Sequence, residues 1–362
     1  MQLSTIIAAM ERIAPTSLAE AWDNVGLLAG DPNQDVSRIL LTIDYSPAVA
    51  QEARTNQCDL VIAYHPPIFQ PQKRVVAGSA VFDAVRRGVA IYSPHTALDV
   101  AEGGTNDMLA AVLGLVDRRA LKSGEAKAGQ YKLVVFVPIE AVDKVARAMF
   151  DAGAGRIGKY SSCSFRSPGT GTFFGGEGAQ PAVGQTGRLE RVDEIRLETV
   201  VPVGSAEAVI RALRANHPYE EPAFDLNLLA PAPGDRGQGR IGSISPAVRG
   251  ELFDRIKRGL EIEHLLVAGP TEGTVARAAA CAGSCGNMLD DAIEAGAELY
   301  LTGEVRHHDA VKAAAAGMTV VCTLHSNSER AVLKRLGKRL EETPGMSPIR
   351  ISSADRDPFS IH

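Results

Sequence analysis

Two histidine–carboxylate pairs are the residues of this sequence best suited to metal chemistry. His95 precedes Asp99, and His325 precedes Glu329, with a spacing of four in each case. Neutral imidazole and carboxylate groups are common ligands for Zn, Mn and Fe. On a helix, two residues four apart project from the same face. Each pair is therefore a candidate source of metal ligands.

The second pair follows an apolar strand, MTVVCTL, which ends at His325. The apolar spacing further along predicts a helix that begins around Ser326 to Ser328. In that setting His325 and Glu329 are candidate ligands. The alternative is that Glu329 stabilises the positive end of the helix and His325 caps it.

Three residues of the first half of the chain can join the same site. His65 follows an apolar strand and precedes two prolines, which hold its backbone extended; it is a ligand or a buried loop histidine. His95 and Asp99 are predicted to lie in a turn before a helix that begins near Thr105 or Asn106. Asp99 is a ligand able to bridge two ions, or a turn residue. His95 is a ligand or a partner that orients one.

A second cluster, TGEVRHHDA, is predicted at a helix start. With a spacing of four, Glu304 and His308 would share a helix face, whereas His307 would point elsewhere. We expect Glu304 and His308 to line the site, where they can transfer protons as catalytic acid or base groups. They are alternatively further ligands or plain surface residues.

Three other motifs receive less weight. GAGRIG matches G-x-G-x-x-G, but it follows a helix and precedes a strand, the reverse of the dinucleotide-binding order. The turn between Cys281 and Cys285 either receives an anion on the backbone amides near Gly283 and Ser284 or simply connects a strand to a helix. His217, in HPYEE at a helix end, is expected to serve packing or a subunit contact.

The elements that must position these residues occur twice. CDLVIAYHPPIF, a helix (SAVFDAVRRG) and VAIYSPHTALD in the first part correspond to AELYLTGEVRHH, a helix (DAVKAAAAG) and MTVVCTLHSNSE in the last part. Each copy is a strand–helix–strand unit with polar residues after its strands. Open α/β sheets place their sites at the carboxyl ends of strands. The sequence therefore predicts an internal repeat that carries one shared site.

Two soft stretches, residues 121–130 and 230–240, separate a middle segment from these halves. Its strand and helix patterns run β-α-β-β-α-β, including a Gly-rich strand region, GAGRIGKYSSCSF, which suggests a ferredoxin-like fold. We expect α/β architecture, with two similar lobes at 1–125 and 236–362 forming one composite metal-binding domain and an inserted α+β domain at 126–235.

Composition limits the classes of function. The net charge is −5, from 38 basic and 43 acidic residues without a basic run, so nucleic-acid binding is not expected. No stretch approaches the roughly 20 apolar residues that span a bilayer. The N-terminal segment reads as an amphipathic helix and lacks signal-peptide features. Five scattered cysteines favour a reducing compartment over a disulfide framework. We expect a cytoplasmic protein without a membrane partner.

Taken as a set, the motifs AWDNVGLLAG, AYHPPIF, SPHTALDVAEGGTND, CAGSC, YLTGEVRHHDA and LHSNSE resemble the Nif-three-like family of dinuclear metal-centre proteins. Its members are often labelled "GTP cyclohydrolase 1 type 2 homolog". The resemblance covers the whole chain and implies two divalent ions (Zn, Mn or Fe) in a cleft between two lobes. It also implies a toroidal homo-hexamer capped by the inserted domain. The family's ligands fall on His65, Asp99, His325 and Glu329, with Asp99 and Glu329 as bridging groups.

One position departs from the family pattern. Many members have two adjacent histidines where this chain has Tyr64 and His65. A phenol is a poor ligand at neutral pH, because its pKa is roughly 10. A second ion would therefore bind weakly, use His95 or water, or be missing.

Two functions fit these residues. The first is a metal-dependent hydrolase that acts on a nucleotide or another phosphorylated metabolite, with Glu304 or His308 moving protons. The family label suggests opening of the GTP ring, although no residue identified here is specific for guanine. The second is a metal-handling or regulatory scaffold without catalysis, which the large insert and the altered ligand set favour.

Overall fold

The computed structural model of the protein describes residues 1–123, 130–229 and 237–361. The chain divides into two compact units: an outer unit, Met1–Gly124 with Gly234–His362, and a middle unit, Glu125–Pro233. The two stretches predicted as linkers lie partly outside the described residues. Their described ends are not linkers, because residues 121–123 finish one strand and residues 237–240 begin another.

The outer unit begins with alternating helices and strands. Their bounds are α1 Leu3–Ile13, β1 Gly26–Ala29, β2 Ile39–Thr42, α2 Pro47–Thr55, β3 Leu60–Ala63, α3 Ala80–Arg87, β4 Ala90–Ser93, α4 His95–Val100, α5 Thr105–Leu113 and β5 Val116–Ser123. His95 and Asp99 thus lie in a short helix, and the prediction of a turn at this place is wrong. The helix predicted to begin near Thr105 or Asn106 is α5.

The middle unit contains β6 Gln130–Pro138, α6 Val142–Asp151, β7 Ser164–Phe174, β8 Leu189–Pro202, α7 Ala206–Asn216 and β9 Phe224–Leu228. The strands form one antiparallel sheet in the order β7-β8-β6-β9. Apolar side chains of both helices, among them Val145, Met149, Val209 and Leu213, are completely buried. The Gly-rich segment predicted as a strand forms turns instead as far as residue 163, because three of its glycines adopt positive φ.

The last part of the outer unit repeats the alternation. Its bounds are β10 Gly237–Val248, α8 Arg249–Leu260, β11 Leu266–Ala268, β12 Thr274–Cys281, α9 Leu289–Glu294, β13 Leu299–Thr302, α10 His307–Ala315, β14 Thr319–Cys322, α11 His325–Arg330, α12 Val332–Glu341 and β15 Ile349–Ile351. The helix predicted to start between Ser326 and Ser328 starts at His325.

Two sheets organise the outer unit. Their strand orders are β1-β4-β3-β2-β15 and β11-β14-β13-β12-β10-β5. Each contains three adjacent parallel strands, β2, β3 and β4 in the first and β12, β13 and β14 in the second. Parallel strands end at the same edge of a sheet, so the polar residues that follow β3, β4, β13 and β14 are brought to two such edges.

The sequence explains why these strands are central. The runs LVIA, AIYS, LYLT and TVVC contain no charged residue, and all of their residues are buried. Such continuous apolar strands are typical of sheets covered on both faces. In the first sheet, α1 and α12 pack on one face, through residues such as Leu3, Met10 and Leu336, and α2 and α3 pack on the other. No helix among the described residues is long and apolar enough to cross a membrane.

His217 has a packing role in the middle unit. Its Nε2 lies 2.9 Å from the carbonyl oxygen of Phe136, and its Nδ1 accepts a hydrogen bond of 3.1 Å from the backbone N–H of Tyr219. The first contact requires a proton on Nε2, and the second requires an unprotonated Nδ1. The ring is thus held neutral. Burial lowers the pKa of His217, and the Phe136 carbonyl and the charge of Glu194 only partly oppose this.

Because His217 is neutral in the folded protein, we expect the protein to lose stability in mild acid. The unfolded chain takes up a proton at this histidine near its ordinary pKa of 6.5, before the folded chain does. Stability should therefore fall as the pH drops below about 6.5. We expect His217→Gln, which does not titrate, to lose less stability between pH 7.5 and pH 5.5 than the unmodified protein in thermal unfolding. The same change at exposed His264 should leave the pH dependence unaltered.

Candidate metal centre

Three predicted ligands meet at one point of the outer unit. One ligand atom each from His65, His325 and Glu329 lie within 4.8 Å of one another. The Nε2 atoms of His65 and His325 are 3.1 and 3.3 Å from the two carboxylate oxygens of Glu329. His65 follows β3. His325 is the first residue of α11, and Glu329 is its last residue but one. The spacing of four thus places His325 and Glu329 on one helix face.

A second carboxylate orients each of the two histidines. Nδ1 of His65 donates to Oδ1 of Asp44 at 2.9 Å, and Nδ1 of His325 donates to Oε1 of Glu304 at 2.9 Å. Such partners fix the tautomer of metal-binding histidines and strengthen them as ligands. Asp44, two residues beyond the end of β2, was missed in the sequence. Its signal is the same one that identified His65, a polar residue just after an apolar strand.

The charges of this cluster need a positive partner between them. With Nδ1 protonated, a neutral imidazole presents a lone pair on Nε2, and in both histidines this atom faces the Glu329 carboxylate. Without a cation, a second proton must lie there. Burial lowers the pKa of His65, but contacts with Asp44 and Glu329 raise it to about 10. The hydrogen bond to Glu329 and its charge raise the pKa of His325 to about 9, although burial opposes this.

The buried atoms of the cluster fit a metal ion. Nε2 of His65 and Oε2 of Glu329 are inaccessible to solvent and lie 3.1 Å apart, but neither has a hydrogen-bond partner among the described residues. Buried polar atoms without a hydrogen bond are costly, and a bound ion is one way to satisfy them. Two imidazole nitrogens and a carboxylate form a donor set that suits Zn, Mn or Fe. One cation at this point would satisfy all three groups.

Asp99 lies next to this cluster but outside the group of three. The Tyr64 hydroxyl donates a hydrogen bond to Oδ1 of Asp99, and both side chains are buried. Burial is the main cause that raises the pKa of Asp99 to about 6; the hydrogen bond from Tyr64 opposes it, and the charge of Glu329 adds to it. The ring of Tyr64 lies 5.3 Å from that of His65 between centroids, so Asp99 is bonded to a residue that adjoins the cluster.

His95 also lies near the cluster, at the start of α4. Its ring centroid is 5.4 Å from that of His65. Nδ1 of His95 donates to Oδ1 of Asp23 at 2.8 Å, and Asp23 accepts a further bond from the backbone N–H of Thr96. His95 is thus held as firmly as the other two histidines. The role of Asp23, within the AWDNVGLLAG motif, was missed because no periodic pattern marks that loop.

Glu304 and His308 are not placed as predicted relative to each other. Helix α10 begins at His307, so Glu304 precedes it and cannot share a helical face with His308. Glu304 contacts the cluster through His325. His308 is exposed, and its ring lies beside that of His307, with 5.4 Å between the centroids. The structure therefore brings together His65, Glu304, His325 and Glu329, with Asp99 and His95 beside them, but not His308.

A cavity of about 570 Å³ opens beside this centre. Glu304 is part of its wall, together with Ser284, Asn287, Arg306 and Asp309. Ser284 belongs to the turn that follows β12, where Cys281 and Cys285 are joined by a local disulfide; Cys58, Cys163 and Cys322 are free. The cavity offers an arginine, two carboxylates and polar side chains to a small polar ligand.

Gly283, in the same turn, allows the backbone to approach the ligands. Its φ is +71°, and a Cβ atom there would lie 2.8 Å from Oε1 of Glu329 and 3.3 Å from Nε2 of His325. Gly317 has nearly the same φ, +74°, but nothing within 4 Å of a Cβ. The two glycines thus share the backbone strain and differ only in their surroundings.

We therefore expect Gly283→Ala and Gly317→Ala to differ in metal binding. Both should lose about 1 kcal/mol of stability through the positive φ. Only Gly283→Ala should also displace the proposed ligands. We expect its Zn affinity to fall by roughly 10-fold or more, as is typical when residues next to metal ligands are changed. Isothermal titration with Zn and urea unfolding measure the two effects. Equal Zn affinities in the two variants would contradict the assignment of His325 and Glu329 as metal ligands.

Comparison with known proteins places the chain in a family over nearly its whole length. The family model described as Duf34/NIF3 (NGG1p interacting factor 3) matches residues 1–358. A relative from Halalkalibacterium halodurans is 36% identical over 99% of this chain and 98% of its own length. One from Bacillus subtilis is 34% identical over 98% and 97%. Both are named "GTP cyclohydrolase 1 type 2 homolog".

Solved structures are similar over the whole chain. A Bacillus cereus protein related to NIF3 is 33% identical, with a TM-score of 0.69 over 100% of this chain and 99% of its own. A Staphylococcus aureus protein is 24% identical, with a TM-score of 0.80 over the same shares. The second likeness concerns the fold alone.

Proposed function

Because the chain belongs to the Duf34/NIF3 family, we propose that it is a metal-dependent hydrolase acting on a nucleotide or another phosphorylated metabolite. One observation carries the proposal: two Nε2 lone pairs face the buried Glu329 carboxylate, next to a cavity whose wall contains Arg306 as well as Glu304 and Asp309. The first feature supports a metal ion. In the second, Arg306 together with that ion would bind a phosphate group in spite of the two carboxylates.

In this proposal His65, His325 and Glu329 hold the metal, and Asp44 and Glu304 fix the two imidazole rings. A bound divalent cation supplies Lewis-acid chemistry, which lowers the pKa of water and polarises a phosphoryl or carbonyl oxygen. The family resemblance supports two such ions, with Asp99 as a further ligand and His95 as a possible one.

The remaining roles concern substrate and protons. Arg306, exposed at the start of α10, attracts a phosphate group into the cavity. Glu304 lines the same cavity and contacts His325, so it can take up a proton released near the metal ligands. His308 is the second proposed proton-transfer group, supported only by its place in the first turn of α10.

The test is turnover by reconstituted protein. Metal-free protein is loaded with Zn, Mn or Fe and given a panel of phosphoesters and nucleotides, including GTP because the relatives carry that name. We expect the protein to release phosphate or a ring-opened product. The turnover rate of Glu329→Gln should be at least 100-fold lower, which is the scale of effect seen when a catalytic group is removed. Turnover no higher than that of Glu329→Gln throughout the panel would exclude the hydrolase.

A metal-handling or regulatory scaffold is the second candidate, and the origin of the ligands favours it. His65 comes from the first part of the outer unit, and His325 and Glu329 come from the last, so an ion would link the two parts. Strong destabilisation by chelation, without turnover, is the outcome that this function predicts.

The sequence resemblance also supports proposals about architecture. We interpret the matching strand–helix order around β3–β4 and β13–β14 as two similar lobes, and the order β7-β8-β6-β9 as a ferredoxin-like insert. The proposed homo-hexamer predicts a mass in solution of six times 38.3 kDa, which light scattering can measure.

A further inference from the structure

Tyr64 holds the carboxylate that a second ion would need. Tyr64 is 1% exposed, and its hydroxyl donates to Oδ1 of Asp99 and lies 3.2 Å from Oγ1 of Thr105. The backbone carbonyl of Asp99 in turn accepts a bond of 3.1 Å from the side chain of Asn106. The carboxylate and its backbone are both anchored on the side of α5.

The same tyrosine adjoins the centre itself. Its ring centroid is 5.3 Å from that of His65 and 5.8 Å from that of His95. A phenol in this place can donate a hydrogen bond to a carboxylate, but it is a poor metal ligand because it ordinarily keeps its proton until the pH is roughly 10. Tyr64 therefore lies beside the proposed ligands but does not itself provide a ligand for an ion.

The three-ligand group, in contrast, requires no rearrangement. His65, His325 and Glu329 already have their ligand atoms within 4.8 Å of one another, and their outer nitrogens are fixed by Asp44 and Glu304. Preorganised ligands bind an ion without the cost of first ordering their side chains. An ion that uses Oδ1 of Asp99, as a bridging carboxylate would, must compete with the Tyr64 hydroxyl for that buried oxygen.

We infer that this centre fills in order, with one ion held tightly by His65, His325 and Glu329 and a second bound at least about 10-fold more weakly because Tyr64 retains Asp99. The inference rests on the proposed metal centre and deepens it. Tyr64 acts as a positioning residue: it determines how many ions are present at a given free metal concentration.

Titration of the metal-free protein with Mn²⁺ tests the order. Bound Mn is counted by mass spectrometry after equilibrium dialysis, and the frozen samples are examined by electron paramagnetic resonance. We expect the first equivalent to give the six-line spectrum of an isolated Mn²⁺ ion. A second equivalent, with a spectrum broadened by coupling, should require about 10-fold or more higher free Mn²⁺.

Tyr64→Phe should reduce that gap by about 10-fold or more, because it keeps the ring and frees Asp99. Tyr92→Phe is the matched control. Tyr92 is also 1% exposed and packs in the same apolar cluster, but its hydroxyl has no hydrogen-bond partner among the described residues. It should leave both affinities unchanged.

Two ions of equal affinity in the unmodified protein, or an unchanged gap in Tyr64→Phe, would overturn the inference. If circular dichroism shows that Tyr64→Phe is unfolded, Tyr64→His answers the same question, because it adds a ligand and likewise frees Asp99. Absence of any bound Mn would remove the metal centre itself. Ordered binding without turnover would remove only the hydrolase.

Discussion

Replacing Glu329 by glutamine is expected to weaken metal binding by on the order of 100-fold or more. Changes to residues that hydrogen-bond to metal ligands reach this size at their upper end, and the loss of a ligand itself should be at least as large. The amide keeps the shape of the side chain but removes the anion on which both histidines converge. Burial raises the pKa of Glu329, yet its contacts with His325 and His65 lower it overall, so the carboxylate is ionised in the fold. An ion would lose both a ligand and the charge that balances it.

Metal content after dialysis and isothermal titration with Zn measure this effect. Glu304→Gln provides the graded comparison, because the Glu304 carboxylate accepts from Nδ1 of His325 and is not one of the three proposed ligands. Its loss should be smaller, roughly 10- to 100-fold. A Glu329→Gln protein that keeps its full metal content would show that the ligands lie elsewhere.

Breaking the buried ion pair between Arg240 and Asp107 should produce the largest loss of stability. Nε of Arg240 lies 2.6 Å from Oδ1 of Asp107, and the side chains are 3% and 4% exposed. Removing Arg240 leaves the buried Asp107 with only a longer contact, 3.7 Å, to Arg118 and a hydrogen bond from the backbone of Gly103 among the described residues, and loss of the main partner of a buried charge costs about 3–5 kcal/mol. Arg240→Met should therefore lower the free energy of unfolding by that amount.

Urea unfolding measures the change, and Lys334→Met is the control. Lys334 pairs with Glu261 at the surface, with side chains 60% and 72% exposed, and such pairs contribute less than about 1 kcal/mol. The double change Arg240→Met with Asp107→Leu should recover part of the loss, because no buried charge remains. Similar effects of Arg240→Met and Lys334→Met would refute this account of the pair.

Local patterns were sufficient for much of the outer unit. The apolar runs that precede His65 and His325 are buried parallel strands, and the sequence-derived spacing of His325 and Glu329 corresponds to one helix face. These features were predictable because strand burial and helical periodicity depend on neighbouring residues alone. The family membership was predictable for a different reason: several motifs of the family occur together.

The errors arose where distant residues determine the outcome. Nothing near Asp99 in the sequence indicates that the Tyr64 hydroxyl binds it, because the contact joins two different elements. Asp23 and Asp44 were missed as partners of His95 and His65 for the same reason. Arg240 was assigned to a linker from the glycines around it, although it lies in β10 and its charge is paired with Asp107 in α5.

The short helix α11 carries two of the three proposed ligands, and residues further along the chain hold it in place. Ser326 donates to Asp357 at 2.8 Å, and Arg330 pairs with Asp355 at 2.5 Å. During synthesis His65 leaves the ribosome long before these residues exist, and domains fold only as their parts emerge. A cation held by His65, His325 and Glu329, as proposed, could therefore be enclosed only after the segment from α11 to Asp357 has been synthesised.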